Sequence, residues 1–339
     1  MDSDINPVFK TQKHKNFFIY EKELRALLHN LKKKAYEFNG ILYGDVVINS
    51  IISKYYKELF LQNNNDNNDF WNTEIDPSTA PRVITTKNFD VFFKTFNEYL
   101  AFFNYIKMEN KFEIINTTNL ESNLFIHNKY IINVNIGKTI TWSGINISLN
   151  LNITSRMPKD KYIEPPFNEA NFTSDLLIMT KDGNGPRFSK NTGIDELDNL
   201  NLIEKNELFA KIIKDICFFK IYIVSKNNLA NNYIAYKSVE YLENKWIIPN
   251  LPFKISNYEK NPTTCYICLE EINKENKIGE FLNNGKCILH FNCLIEYLKN
   301  KLETKSDLKC PLRQDIDFIN YNFINDYRSE EHTSELVTL

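Results

Sequence analysis

The sequence lacks the features that assign a chain to several large classes of protein. Its formal net charge is only -2, so there is no general attraction to nucleic acid or to anionic membranes. No apolar run approaches the roughly 20 residues of a membrane span, and the run at 216–224 is interrupted by Lys220. The charged N-terminus has no signal-peptide core. What the chain has is 42% hydrophobic residues, enough for a buried core in about two domains.

Cysteine is also scarce, but it is concentrated in one stretch. Five of the six cysteines lie between residues 263 and 316. Cys265 and Cys268 form a CxxC pair, and His290 and Cys293 form an HxxC pair. At these separations a tight turn points two ligands at one ion, and two pairs complete a tetrahedral zinc shell. Thiols clustered in this way favour a reducing compartment, the cytoplasm or the nucleus, over a disulfide scaffold.

The order of these ligands resembles that of a RING finger, the zinc module of many ubiquitin ligases. That family interleaves its eight ligands, so the first and third pairs share one zinc ion while the second and fourth pairs share another. The first site is matched in full by Cys265, Cys268, His290 and Cys293. The resemblance implies a zinc cofactor and a zinc-dependent fold.

The second zinc site of that family is incomplete here. Cys287 and Cys310 match its fourth and seventh ligands, but Gly285 and Arg313 stand at the third and eighth. Three interpretations remain open: hydrogen bonds and apolar packing hold this lobe, a codon has been lost from the sequence, or a metal borrows a carboxylate such as Asp315. The first and second are preferred, because two thiolates and a distant carboxylate make a poor closed zinc shell.

The resemblance also implies protein partners. In RING fingers the positions of Ile267, Leu294, Leu298 and Pro311 form a shallow apolar groove for a ubiquitin-conjugating enzyme, and Arg313 matches an arginine that bonds to ubiquitin. The implied function is that of a ubiquitin-ligase-like protein whose N-terminal domain selects an unknown protein substrate. The alternative is a structural zinc-binding protein that meets no conjugating enzyme.

The N-terminal region carries a different pattern. Residues 18–37 place leucines at helical spacing, which predicts a helix that packs on a core. A short apolar strand then ends at Gly44 and a helical stretch follows, an order that is common at phosphate-binding sites. A later strand carries Asn88 and Asp90 on one face, where paired carboxylates would hold magnesium.

This order resembles the head domain of the nucleotidyltransferase superfamily, which has a glycine turn and an Asp-x-Asp strand. Gly44 matches the turn, Asn88 and Asp90 match the metal strand, and Asp175 stands for a third carboxylate. Because an asparagine replaces one carboxylate, the resemblance implies a fold retained after catalysis was lost, as in giant-virus proteins that join such a head to a RING finger. The rival hypothesis is metal-dependent nucleotide transfer by these four residues. The simplest alternative makes Asp90 an ordinary strand-edge acid.

We therefore predict an α+β protein. A mixed sheet with packed helices, nucleotidyltransferase-like, would occupy residues 1–250, a linker residues 251–261 and a small RING-like zinc domain residues 262–318. Residues 328–339 match a translated sequencing adaptor and are expected not to be native.

Several elements of the first domain are predicted from periodicity. Residues 124–154 alternate as antiparallel strands do, and residues 204–224 and 232–246 are predicted as helices. Residues 62–82 are rich in Asn and Asp and are predicted as an inserted loop. Cys217 lies in an apolar helical run and is expected to be a core residue.

Overall fold

A computed structural model describes most of the chain. The described residues are 24, 26–63, 88–108, 112–121, 125–136 and 145–156 and, with short gaps, 164–224, 231–281 and 287–312. They fall into two compact units, one within residues 1–167 and 175–191 and the other within residues 168–174 and 192–339. Both units combine helices with strands, so the predicted α+β class is confirmed. Among the described helices, none is long and apolar enough to cross a membrane.

The first unit is built on a seven-stranded mixed sheet with the order β3-β4-β5-β2-β1-β6-β7. Its strands are β1 Ile41–Tyr43, β2 Asn88–Phe93, β3 Phe112–Glu121, β4 Phe125–Ile136, β5 Ile145–Arg156, β6 Leu177–Met179 and β7 Pro186–Phe188. The β2 and β5 strands run parallel, and the other neighbouring pairs are antiparallel. The parallel register places Asp90 opposite Asn152.

Three described helices belong to this unit: α1 at residues 26–37, α2 at Asp45–Asn63 and α3 at Phe96–Met108. Over residues 26–37 the helix predicted from the leucine periodicity is confirmed, since Leu27 and Leu31 are buried, and residues 18–23 of that prediction lie outside the described residues. Both α2 and α3 contact β2. The ring of Phe102 lies 5.2 Å from that of Phe93, and both side chains are fully buried. The alternation of β2 thus places one set of side chains in the core and leaves Asn88 and Asp90 only half-buried.

The second unit contains three further described helices and two small sheets. Its helices are α4 Leu202–Cys217, α5 Asn231–Glu243 and α6 Phe291–Thr304, and its strands are β8 Phe253–Asn257, β9 Thr263–Thr264, β10 Glu271–Ile272, β11 Lys277–Phe281 and β12 Cys287–His290. One sheet has the order β12-β11-β8 and the other pairs β9 with β10.

The predicted linker at 251–261 is wrong in its centre. Residues 253–257 form β8, which pairs with β11 from Phe253 opposite Phe281 to Asn257 opposite Lys277. The two phenylalanine rings lie 5.8 Å apart and are buried, which fixes this strand in the sheet that carries β12. The predicted zinc domain is therefore continuous with the residues before it.

The helix α5 also belongs to the same unit as the cysteine-rich segment. The side-chain amide of Asn232 donates hydrogen bonds to the backbone carbonyls of Lys301 and Ser306 at 3.2 and 2.7 Å. These carbonyls lie at and just beyond the C-terminal end of α6, where helix carbonyls lack intrahelical partners. Asn232 therefore joins the start of α5 to the end of α6.

Candidate metal centre

The four ligands predicted for the first site meet in the second unit. Cys265 and Cys268 lie in the turn between β9 and β10, His290 ends β12, and Cys293 lies in the first turn of α6. Their ligand atoms all lie within 4.8 Å of one another. For comparison, zinc–sulfur bonds of about 2.3 Å give tetrahedral edges of about 3.8 Å. The structure thus assembles a Cys3His cluster that can hold a metal ion, and no other group of three or more such residues occurs in the described part of the chain.

The turn that carries the first two cysteines is attached to β12 by its backbone. The amide N–H of Tyr266 donates to the carbonyl of Ile288 at 3.4 Å. Within the turn, the Leu269 N–H donates to the Cys265 carbonyl at 3.0 Å, and Leu269 adopts a left-handed φ of 62°. Because His290 ends the same strand, this attachment brings both pairs of ligands to one place.

The second pair depends on how closely α6 approaches β11. A Cβ atom at Gly279 would lie only 2.4 Å from Leu294 Cδ2, so a larger residue there would force the Leu294 side chain to move. Leu294 and Leu298 are fully buried on the inner face of α6. That packing fixes the first turn of the helix and, with it, the sulfur of Cys293.

The electrostatics of the cluster favour a cation among the sulfurs. Burial acts to raise the pKa of Cys265, but hydrogen bonds from the backbone N–H groups of Cys268, Ile267 and His290 outweigh it and lower the pKa to about 6. Burial and the neighbouring thiols raise the pKa of Cys293 to about 12. Thiolates this close repel one another unless a cation lies between them.

The ring of His290 takes part in the same cluster. Its Nδ1 lies 3.3 Å from Cys268 Sγ. Cys265 is buried while Cys268 is exposed. One side of the cluster is therefore open to solvent, from which an ion can enter.

The two cysteines of the incomplete second site are both buried. Cys287 and Cys310 are 0% and 1% exposed, and burial, followed by the neighbouring Cys310, raises the pKa of Cys287 to about 12. The backbone N–H of Leu312 donates to Cys310 Sγ at 3.3 Å, and the Tyr297 hydroxyl donates to the Lys309 carbonyl. The remaining positions named for this site, Gly285, Arg313 and Asp315, lie outside the described residues.

The predicted partner-binding residues divide into two groups. Ile267 is 40% exposed and Pro311 is half-buried at the surface, whereas Leu294 and Leu298 are 0% exposed. The two leucines therefore belong to the core and offer no surface to a partner, which corrects their predicted role. Amphipathic spacing alone did not show which face of α6 is inward.

Three exposed apolar side chains were missed by the sequence analysis. Tyr266, Leu269 and Leu312 are 43%, 75% and 38% exposed. The first two lie in the same turn as Ile267, and Leu312 follows Pro311. The sequence signal that could have identified them is their position close to Cys265, Cys268 and Cys310. We call Tyr266, Ile267 and Leu269 the apolar face.

In the first unit, three of the candidate nucleotidyltransferase residues lie in a polar cluster formed by the turn after β1 and by β2 and β5. Gly44 has a φ of 65°, and a Cβ atom there would lie 2.8 Å from Asp90 Oδ2. The amide of Asn152 donates to Asp90 Oδ1 at 2.5 Å. The amide of Asn88 donates to Asp45 Oδ2 at 2.8 Å and accepts from Asn150 at 2.9 Å. Three of the four predicted residues are thus brought together.

Asp175 occupies a different position from the one predicted. It lies in the short 3-10 helix Thr173–Leu176 before β6, and β6 pairs with β1 rather than with β2. The position beside Asp90 belongs to Asn152. The sequence analysis missed Asp45, Asn150 and Asn152, although the polar alternation of β5 was visible.

Comparison of the chain with family models, curated proteins and solved structures found no match. The function of the chain therefore has to be inferred from the residues and geometry described above.

Proposed function

We propose that the chain is a RING-type, ubiquitin-ligase-like protein that binds one zinc ion and recruits a ubiquitin-conjugating enzyme. The observation that carries this proposal is the convergence of Cys265, Cys268, His290 and Cys293 within 4.8 Å. Three thiolates and one imidazole are a typical donor set for structural zinc, and such a site stabilises the fold around it.

The apolar face supports the recruiting role. Ile267 lies between the two cysteines of the metal-binding turn, so the ion that fixes the sulfurs also fixes this side chain. Large apolar side chains exposed together on the surface are typical of protein interaction sites, and aromatic anchors supply much of the energy of such interfaces. The apolar face would receive the conjugating enzyme.

The proposed module performs no covalent chemistry of its own. It would hold the enzyme–ubiquitin thioester close to an acceptor lysine and so accelerate transfer by proximity and orientation. The first unit would hold the protein substrate or act as a scaffold. Arg313 would add a hydrogen bond to ubiquitin.

An autoubiquitination assay with the full chain and a panel of charged conjugating enzymes tests this proposal. We expect ubiquitin chains with at least one enzyme and a loss of about tenfold or more in Ile267→Ala, equivalent to about 1.4 kcal/mol. The matched control is Leu202→Ala, which removes a 74% exposed leucine from α4 and should leave the rate unchanged. Equal rates in both variants, or no product with any enzyme, would favour a purely structural zinc-binding protein.

Metal-dependent nucleotide transfer is the second candidate, and the assembly of Gly44, Asn88 and Asp90 favours it. Against it, Asn88 stands at the position of a carboxylate and donates its amide to Asp45 Oδ2. One carboxylate and one amide on the metal strand hold magnesium poorly. Titration of the chain with Mg²⁺ and nucleoside triphosphates should therefore give no thermal stabilisation and no transfer product, and either response would revive this candidate.

A further inference from the structure

The seven-stranded sheet of the first unit ends in two different edge strands. At one end lies β7, which has three residues and begins with Pro186. At the other end lies β3, Phe112–Glu121, which has ten residues and contains neither proline nor lysine. Short length, proline and lysine are common means by which an edge strand avoids pairing with another chain. The β7 edge is protected in this way, whereas the β3 edge can accept a further strand.

The first five residues of β3 form a regular edge. They pair one to one with β4, from Phe112 opposite Val134 to Asn116 opposite Tyr130, and the register shifts only between Asn116 and Thr118. Among the described residues, β4 is the only strand that pairs with β3. Within that part of the chain, the backbone N–H and C=O groups on the outer side of this segment therefore have no strand partner. Such groups form a template for a second strand.

Exposed apolar side chains of the first unit are confined to this region. All the large apolar side chains that the structure describes as exposed in this unit lie on α3 or β3: Phe96, Leu100, Met108 and Ile115. The two elements are in contact. On β3, Phe112 and Ile114 are half-buried on one face, while Glu113 and Ile115 are exposed on the other. Apolar surface that is gathered in one place is typical of a protein interface.

We propose that two copies of the chain associate through β3, paired antiparallel about a two-fold axis at Ile114. An open strand edge takes a strand as its partner, and an antiparallel copy of the same segment offers matching donors and acceptors in the complementary order. The axis at Ile114 lies at the centre of the regular segment, so all five of its residues are paired. The sheets of the two copies then form one continuous sheet.

The charges of this segment suit a second copy and select the register. With the axis at Ile114, Glu113 of one copy lies opposite Ile115 of the other. An axis at Glu113 would place the two glutamates directly opposite each other, which is destabilising. The formal net charge of the whole chain is only -2, so general repulsion between two copies is weak. The register at Ile114 thus pairs the segment without a like-charge contact.

Sedimentation equilibrium of the full chain in reducing buffer tests the proposal. At micromolar concentrations we expect twice the mass of a single chain. Ile115→Glu places a glutamate opposite Glu113 at two symmetric positions and should raise the dissociation constant of the dimer about tenfold or more. Addition of Glu113→Lys to this variant replaces both repulsions by attractions and should restore the dimer. Both side chains are exposed in the single chain, so the variants change the interface rather than the fold.

The matched control is Leu202→Glu, which places the same charge on an exposed leucine of α4 in the second unit and should leave the dimer intact. Three results would overturn the proposal: a monomeric wild-type chain, an Ile115→Glu chain that stays dimeric, or a double variant that dissociates as readily as Ile115→Glu. A monomer would mean that another part of the chain or a different protein covers β3. The measurement uses neither ubiquitin nor a conjugating enzyme, so its outcome is independent of the proposed function.

Discussion

At the scale of single residues, Gly44 is constrained both by its backbone and by its neighbour. Its φ of 65° disfavours other residues, and an added methyl group would lie 2.8 Å from an oxygen of Asp90. We expect Gly44→Ala to lower the free energy of unfolding of the first unit by about 1–3 kcal/mol. The comparison is Gly185→Ala, since nothing lies within 4 Å of its added Cβ. Equal stability of the two variants in urea denaturation would show that the turn tolerates a side chain.

A second residue-scale prediction concerns the amide that faces Asp90. In Asn152→Asp, a carboxylate would replace the donor that lies 2.5 Å from Asp90 Oδ1. Repulsion between the carboxylates should destabilise the first unit by about 1–3 kcal/mol at neutral pH, and Mg²⁺ should restore part of the loss. Thermal unfolding with and without Mg²⁺ measures both effects.

The control for this variant is Asn150→Asp, because Asn150 faces the neutral oxygen of Asn88. It should show a smaller loss and a weaker response to Mg²⁺. An Asn152→Asp chain that is as stable as the wild type would contradict the assigned hydrogen bond.

Spacing alone predicted only residues whose partners are close in the chain, whereas the convergence of the two ligand pairs was predicted from the resemblance to RING fingers. Cys265 and Cys268 are joined by one turn, so their spacing alone predicts that they converge. Asp90 and Asn152 come from strands paired across a long separation, and a strand register of that kind is not encoded in local spacing. Because this register is not visible in the sequence, Asp175 rather than Asn152 was predicted as the third residue of the cluster.

At the scale of elements, the contact between α5 and α6 depends on Asn232. Removal of its amide in Asn232→Ala leaves the carbonyls of Lys301 and Ser306 without this donor and should destabilise the second unit by about 1–3 kcal/mol. Thermal unfolding of the zinc-loaded chain provides the measurement. Asn244→Ala is the control, because that amide also donates to a backbone carbonyl but at an exposed position. A loss no larger than in the control would mean that Asn232 does not anchor α6.

Periodicity located most helices but not their ends. The helix predicted at 204–224 ends at Cys217, because Phe219 adopts a φ of 56° and the chain then turns to pair with Ile247. Its start is set by Asn201, which forms a reciprocal capping box with Glu204. Apolar residues continue through this end, so hydrophobicity alone could not mark it.

Short strands were the elements least visible in the sequence. The β8 strand was predicted as linker because prolines flank it, although Phe253 and Ile255 alternate as strand residues do. The β6 and β7 strands have three residues each, too few for an alternation of side chains to be recognised in the sequence. Tertiary pairing, rather than local propensity, defines such strands.

At the scale of the whole molecule, the division into two units predicts that metal removal acts on only one of them. All four ligands lie in the second unit. A chelator should therefore lower the melting temperature of that unit and leave the first unit unchanged, because metal-binding free energy contributes to folding only where the ligands are. Differential scanning calorimetry should resolve the two transitions. A shift of both transitions, or of neither, would contradict this assignment.

The zinc content of the purified full chain tests the central claim most directly. Elemental analysis should give about one zinc ion per chain, because four ligands complete one tetrahedral shell. Cys293→Ser should lose the ion, and Cys287→Ser should keep it. A wild-type chain without zinc, or one whose zinc is unaffected by Cys293→Ser, would contradict the account.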